Sequence, residues 1–139
     1  MTDKIVSILI VEDDEVDVMA IRRAFQETNI SNPIYIAKDG IEALQKLRSR
    51  EIPYPYIVLM DLNMPRMNGI DCMKEIRTDR NLKRTTIFAL STSNDEKDKL
   101  SAYDCNVAGY IVKSDIGNEF GKALKMLYQF LNVVDLPSE

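Results

Sequence analysis

"IVLMDLNMPRMNG", residues 57–69, runs four apolar residues into a carboxylate, Asp61, and then passes Pro65 and the Asn68-Gly69 pair. A short run rich in Ile and Val reads as a buried strand, and Pro and Asn-Gly punctuate the turn after it. Aspartates after strands are most often turn formers or helix caps, so Asp61 taken alone decides nothing. The fold depends on whether this pattern recurs along the chain.

It does recur. "IVSILIV" (5–11) is continuously apolar, as a central parallel strand should be, and Val18, Ile21 and Phe25 follow it at helical spacing. "PIYIA" (33–37) is a second strand, with Ile41, Leu44 and Leu47 marking the next helix. "YIVLM" (56–60) precedes Ile70, Met73 and Ile76, and "TIFAL" (86–90) precedes a weaker helix carrying Leu100 and Tyr103. "GYIV" (109–112) leads into a last helix with Phe120, Leu124, Leu127 and Leu131 on one stripe. Five strand-helix units without repeat, linker or low-complexity segment predict an α/β fold, a five-stranded parallel doubly wound sheet with helices on both faces. At 139 residues the chain reads as one domain, 1–139, with 132–139 as a C-terminal tail.

Composition narrows the function. With 45% hydrophobic and 29% charged residues this is ordinary globular chemistry, and no apolar run approaches the roughly 18 residues that span a bilayer. The net charge is −4 with Lys and Arg scattered, so direct nucleic-acid binding is not expected. "MTDKIVS" lacks a signal-peptide core, and Cys72 and Cys105 form no CxxC motif, which together predict a cytoplasmic protein with reduced, packed thiols. There is no histidine, which removes Ser-His-Asp hydrolysis, His-ligated zinc and any histidine base.

In doubly wound sheets ligands bind beyond the carboxyl ends of the strands, and polar residues gather there. Strand 1 ends in Glu12, Asp13 and Asp14, strand 3 in Asp61 with Leu62 and Asn63 after it, strand 4 in Ser91, Thr92 and Ser93, and strand 5 in Lys113 and Ser114. Each has an ordinary reading: a helix cap for Asp14, a strand-end hydroxyl for Ser91, a solvated surface lysine for Lys113. If strands 1, 3, 4 and 5 are neighbours, however, three carboxylates, a hydroxyl and an ammonium converge on one crevice. Clustered carboxylates repel one another, and hard oxygen ligands with room for water suit Mg²⁺.

With these residues in place the chain resembles the receiver domains of two-component response regulators. The resemblance rests on "ILIVEDD" (8–14), "VLMDLNMPRMNG" (58–69), "LSTS" (90–93) and "GYIVK" (109–113), and on spacings of 30 residues from Asp61 to Ser91 and 22 from Ser91 to Lys113. It implies a flavodoxin-like fold with strand order 2-1-3-4-5. It also implies Asp61 as phosphoacceptor, Asp13 as a direct Mg²⁺ ligand, Glu12 as an acidic partner acting through water, and Asn63 as a ligand through its backbone carbonyl. Ser91 would bind a phosphoryl oxygen, Lys113 would pair with the phosphoryl group, and Tyr110 would reorient when the Ser91 hydroxyl moves. The chemistry agrees: attack by a carboxylate on phosphorus needs the phosphoryl charge neutralised, and the added charge can then draw a hydroxyl on the next strand.

Two positions depart from the common pattern. The switch hydroxyl is Ser91 where threonine is commoner, and Lys113 precedes Ser114 where the family has a cis proline, so either a costly cis bond or a rearranged loop is expected. Lys113-Ser114, "NLKRTTIFALSTSN" (81–94) and the long last helix look most like small stand-alone regulators partnered with bacterial phytochromes. A sensor histidine kinase is therefore the expected donor and an unknown downstream protein the receiver of the signal. The protein is not expected to be an enzyme. A phosphatase of the haloacid dehalogenase type would need an aspartate where Asn63 stands, and a pseudo-receiver would have lost an acidic or lysine residue. Finally, Met126, Tyr128, Phe130, Val133, Val134 and Leu136 lie off the stripe of the last helix or beyond it, which suggests a homodimer through helix 4, strand 5 and helix 5, against the tail folding back.

Overall fold

The structure, a computed structural model, describes residues 5–113 and 119–137, the side chains at 119–121 and 124 excepted. Strands β1 (Ser7–Val11), β2 (Ile34–Ala37), β3 (Tyr56–Asp61), β4 (Thr86–Ser91) and β5 (Gly109–Val112) alternate with helices α1 (Glu15–Glu27), α2 (Gly40–Arg48), α3 (Gly69–Thr78), α4 (Glu96–Asp104) and α5 (Glu119–Val133). All pairings are parallel and the sheet order is β2-β1-β3-β4-β5, as expected. The register sets Val11 beside Met60 and Asp61 beside Leu90, so the ends of the central strands are level and their next residues share one edge.

Alternation along the strands builds two cores. Leu9, Val11, Val58, Met60, Ile87 and Ala89 face α2, α3 and α4 through Leu44, Leu47, Met73, Ile76 and Ala102. Ile8, Ile10, Ile57, Leu59, Phe88, Leu90 and Ile111 face α1 and α5 through Ile21, Phe25 and Leu127. Strands buried on both faces carry no polar alternation, which is why 8–11 and 56–60 read as continuous apolar runs. Four helices start on an Asx cap: Asp14, Asp39, Asn68 and Asp95 each accept a backbone N–H of the first turn, from Val16, Glu42, Asp71 and Lys97. Each cap stabilises its helix by about 1 kcal/mol and ends the strand-helix loop at a fixed point.

Several side chains depart from the helical readings. Leu100 and Tyr103 are exposed on α4, whose buried residue is the small Ala102. Phe130 is turned inward, packing edge-on against Phe88 with ring centroids 5.3 Å apart, and not outward as the stripe suggested. The α5 stripe drifts because Phe88, at the middle of β4, offers an aromatic partner one position round the helix. The tail continues this packing. Leu136 rests against the α1/α5 core and Pro137 lines a small cleft with Tyr54, Tyr56 and Thr86. Phe120 and Leu124 lie among the side chains that are not described, and the Lys113-Ser114 bond lies at the start of the undescribed 114–118. Cys72 and Cys105 are buried free thiols, as expected. Among the described residues no helix is long and apolar enough to cross a membrane.

Candidate functional site

The level ends of β1, β3, β4 and β5 bring Glu12, Asp13, Asp61, Ser91 and Lys113 to one edge of the sheet. Asp61 is 3% exposed, held there because β3 is buried on both faces up to its last residue. Its Oδ1 accepts the backbone N–H of Asn63 at 3.2 Å, and Asn63 itself is exposed. Glu12, one residue beyond β1, is anchored by its own N–H to the carbonyl of Ala37 at 2.9 Å, and its Oε2 accepts the N–H of Asp14 at 3.3 Å. Asp13 is exposed at the mouth of the crevice. Carboxylate oxygens of Glu12, Asp13 and Asp61 all lie within 4.8 Å of one another. An ion about 2.1 Å from each ligand needs its oxygens within about 4.2 Å, so a small inward adjustment accommodates one, and an all-oxygen set matches a hard divalent cation.

Lys113 closes the crevice from β5. Its ammonium lies 2.6 Å from Glu12 Oε1, 2.8 Å from Asp17 Oδ2 and 3.6 Å from Asp61 Oδ1, with the lysine side chain 5% exposed. Burial pulls the lysine toward neutrality, but Asp17, Glu12 and Asp61 outweigh it and hold the ammonium protonated well above its usual range. Glu12 is the group that yields: burial first, then the Asp61 carboxylate beside it, push its pKa up to about 7 against the pull of Lys113. Asp17 was not read from the sequence. Its signal was available, because it stands one helical turn after Asp13 in the acidic first turn of α1.

The hydroxyl side of the site is a short chain of bonds. Ser91 is fully buried, and its Oγ accepts the N–H of Ser93 at 3.0 Å. Ser93 in turn presents its carbonyl to the Tyr110 hydroxyl at 2.9 Å, and Tyr110 is half-buried against the α2/α3/α4 core. Thr92, next to Ser91, is exposed. The loop from β3 to α3 is fastened from the opposite side: Arg66 Nε donates to the buried Asp39 carboxylate at 2.7 Å, and the Gly40 N–H donates to the Met67 carbonyl at 3.2 Å. Asp39 and Arg66 are 27 residues apart and carry no shared sequence pattern. Six of the seven site residues named from the sequence therefore fall on this edge, five of them around one crevice and Asn63 on the loop, while Tyr110 stands two residues before the end of β5 and is linked to the edge through Ser93.

This arrangement has close counterparts. Residues 8–125 match the family described as Response regulator receiver domain. The chain is 30% identical over 136 residues to the response regulator Rcp1 of Synechocystis sp., covering 94% of this chain and 92% of Rcp1. The Mn²⁺-bound form of Rcp1 superposes with a TM-score of 0.82 at 30% identity, over 94% of this chain and 98% of that one. The phosphorylated cyanobacterial phytochrome response regulator RcpA does so at 0.83 and 31% identity, over 95% of this chain and 98% of that one. The chain belongs to the response regulator receiver family, and its similarity extends over nearly its full length to phytochrome response regulators.

Proposed function

We propose that this protein is a phosphorylation-switched signalling module that takes a phosphoryl group on Asp61 from the phosphohistidine of a sensor histidine kinase. The observation that carries the proposal is the convergence of Asp61, the Glu12/Asp13 pair and Lys113 at one sheet edge. An Asp61 oxygen forms the new bond to phosphorus as the bond to the donor's imidazole nitrogen breaks, and the imidazole leaves with the bonding pair. Asp13, Asp61 and the Asn63 carbonyl, with Glu12 acting through water, would hold a Mg²⁺, which would supply charge neutralisation at the phosphoryl oxygens. Lys113 adds its ammonium to the same oxygens. The phosphoryl group then draws the Ser91 hydroxyl, which takes its oxygen from the Ser93 N–H. Because Ser93 also holds the Tyr110 hydroxyl, that movement is felt at the aromatic ring and on the face of α4, β5 and α5.

The chain's similarity to RcpA, a cyanobacterial phytochrome response regulator, supports a bacterial phytochrome as the kinase. In this reading the protein works in the cytoplasm and contacts a downstream protein through the switched face. The single domain acts as a substrate of its kinase and not as an enzyme on other molecules. A homodimer is favoured by Leu100, Tyr103, Met126, Tyr128 and Val133, which stand exposed on the two helices that flank edge strand β5. The test of the main proposal is intact-mass spectrometry after treatment with a small phosphodonor and Mg²⁺. Wild type should gain one phosphoryl group, whereas Asp61→Asn, or chelation of the metal, should abolish the gain. Equal labelling of wild type and Asp61→Asn refutes it.

A further inference from the structure

Lys113 offers three N–H donors, and the described groups around it divide them unevenly. Glu12 and Asp17 take hydrogen-bonding distances of 2.6 and 2.8 Å, while Asp61 is left at 3.6 Å, within ion-pair range but beyond a hydrogen bond. Asp17 occupies the third position of α1, where an acidic side chain commonly reaches back to the N-terminal cap. Here the N–H of the cap residue, Asp14, is already bonded to Glu12 Oε2, and an Asp17 oxygen is turned across to Lys113 instead. The Asp17 side chain is 24% exposed, so its carboxylate keeps part of its hydration while holding an ammonium that is almost wholly buried.

We infer that Asp17 is a positioning residue that holds the Lys113 ammonium back from Asp61, keeping the Asp61 carboxylate open to a divalent cation. This rests on the reading of Asp61 and its acidic neighbours as a metal-assisted phosphoacceptor site. Without the Asp17 charge, Glu12 and Asp61 are the described carboxylates left for the ammonium, and it closes on Asp61. A cation approaching the same carboxylate then meets a tighter competing pair of its own sign. For an ammonium moving from 3.6 Å to about 2.8 Å from a carboxylate, at an effective dielectric of about 20, the metal affinity falls about tenfold.

The test compares Asp17→Asn with Asp14→Asn. Both remove one acidic charge from the same loop-helix junction, and asparagine still caps α1 at position 14, where the exposed Asp14 accepts the Val16 N–H and is not paired with Lys113. Mg²⁺ alone is titrated into each protein by calorimetry, and the Mg²⁺ dependence of labelling by a small phosphodonor is followed by intact mass. Asp17→Asn should bind Mg²⁺ about tenfold more weakly than Asp14→Asn. It should also need correspondingly more metal for half-maximal labelling, with the rate at saturating metal within about twofold of wild type. Equal Mg²⁺ affinity in the two variants overturns the inference, as does a loss of rate in Asp17→Asn that saturating metal does not recover. If wild type takes up no phosphoryl group, the phosphoacceptor reading falls, and the Mg²⁺ titration still decides the role of Asp17.

Discussion

The placement of Asp61 depends on a residue with no side chain. Gly69 opens α3, and a Cβ built there would lie 2.3 Å from the Asp61 carbonyl oxygen, 2.8 Å from Leu62 Cα and 3.0 Å from the Asp61 carbonyl carbon. Every one of those atoms is backbone, and none can rotate aside. Ordinary contact is about 3.5 Å, so Gly69→Ala asks the end of β3 or the start of α3 to give by about 1 Å. Three ties resist the movement: Asp61 is paired with Leu90, the Leu62 N–H donates to the Leu90 carbonyl at 3.0 Å, and the Gly69 N–H donates to the Leu62 carbonyl at 3.1 Å. Overpacking of this kind costs about 1–3 kcal/mol, against which alanine regains up to about 1 kcal/mol of helix propensity. A net loss of about 2 kcal/mol corresponds to a fall in Tm of about 7 °C for a domain of this size.

The chemical effect should exceed the thermal one, because a 1 Å misplacement of a reacting group can cost about 10²-fold in rate. Thermal unfolding by circular dichroism and the rate of labelling by a small phosphodonor measure the two effects separately. Gly109→Ala is the internal control, since a Cβ there meets only the Phe88 ring, at 3.2 and 3.4 Å, and that side chain can adjust. It should cost no more than about 1 kcal/mol and leave labelling unchanged. A Gly69→Ala protein that melts with wild type and labels at the wild-type rate refutes the reasoning about how the strand end is held.

Other outcomes follow from the same geometry. Burial raises the Glu12 carboxyl from its unfolded value of 4.5 to about 7, so the folded protein holds that proton more tightly than the unfolded chain. The stability it confers is complete below pH 4.5 and is lost as pH rises through 7; the metal-free Tm should therefore fall between pH 5 and 7.5. Mg²⁺ needs the carboxylates ionised, so its stabilisation should grow over the same interval, and a Tm gain from Mg²⁺ that is flat with pH would contradict this. Arg77 donates to the carbonyls of Lys83, Thr85, Cys105 and Asn106 at 2.7–2.9 Å, tying the loops before β4 and β5 together. Arg77→Met should cost about 3 kcal/mol in urea unfolding, and a loss under 1 kcal/mol would show that water replaces those bonds. For the homodimer, Tyr128→Glu with Val133→Glu should weaken self-association in sedimentation and remove any dependence of Tm on protein concentration; a wild type that stays monomeric with and without phosphodonor excludes the dimer. Phe130→Glu is unsuited to that purpose, because it would bury a carboxylate against Phe88.

Most of the sheet and the crevice were legible in the chain because they depend on local rules. Short Ile- and Val-rich apolar runs bounded by turn residues read as strands covered on both faces, and once five such runs alternate with helices, topology brings their carboxyl ends to one edge. Glu12, Asp13, Asp61, Ser91 and Lys113 are all within two residues of a strand end, so finding the strands finds the crevice. What was not legible is set by contacts between distant segments. The partnership of Lys113 with Asp17 joins β5 to the inner side of α1, and that of Arg66 with Asp39 joins two loops whose sequences show no common period. The inward turn of Phe130 is decided by the ring of Phe88, 42 positions earlier, and not by the spacing of leucines along α5. The same distinction separates the residues at the strand ends from those that tune them. Asp61 and its acidic neighbours are brought together chiefly by strand register, whereas the side chains that decide where the Lys113 ammonium rests, and how firmly the β3–α3 loop is held, reach the crevice from helices and loops whose approach only the folded chain defines.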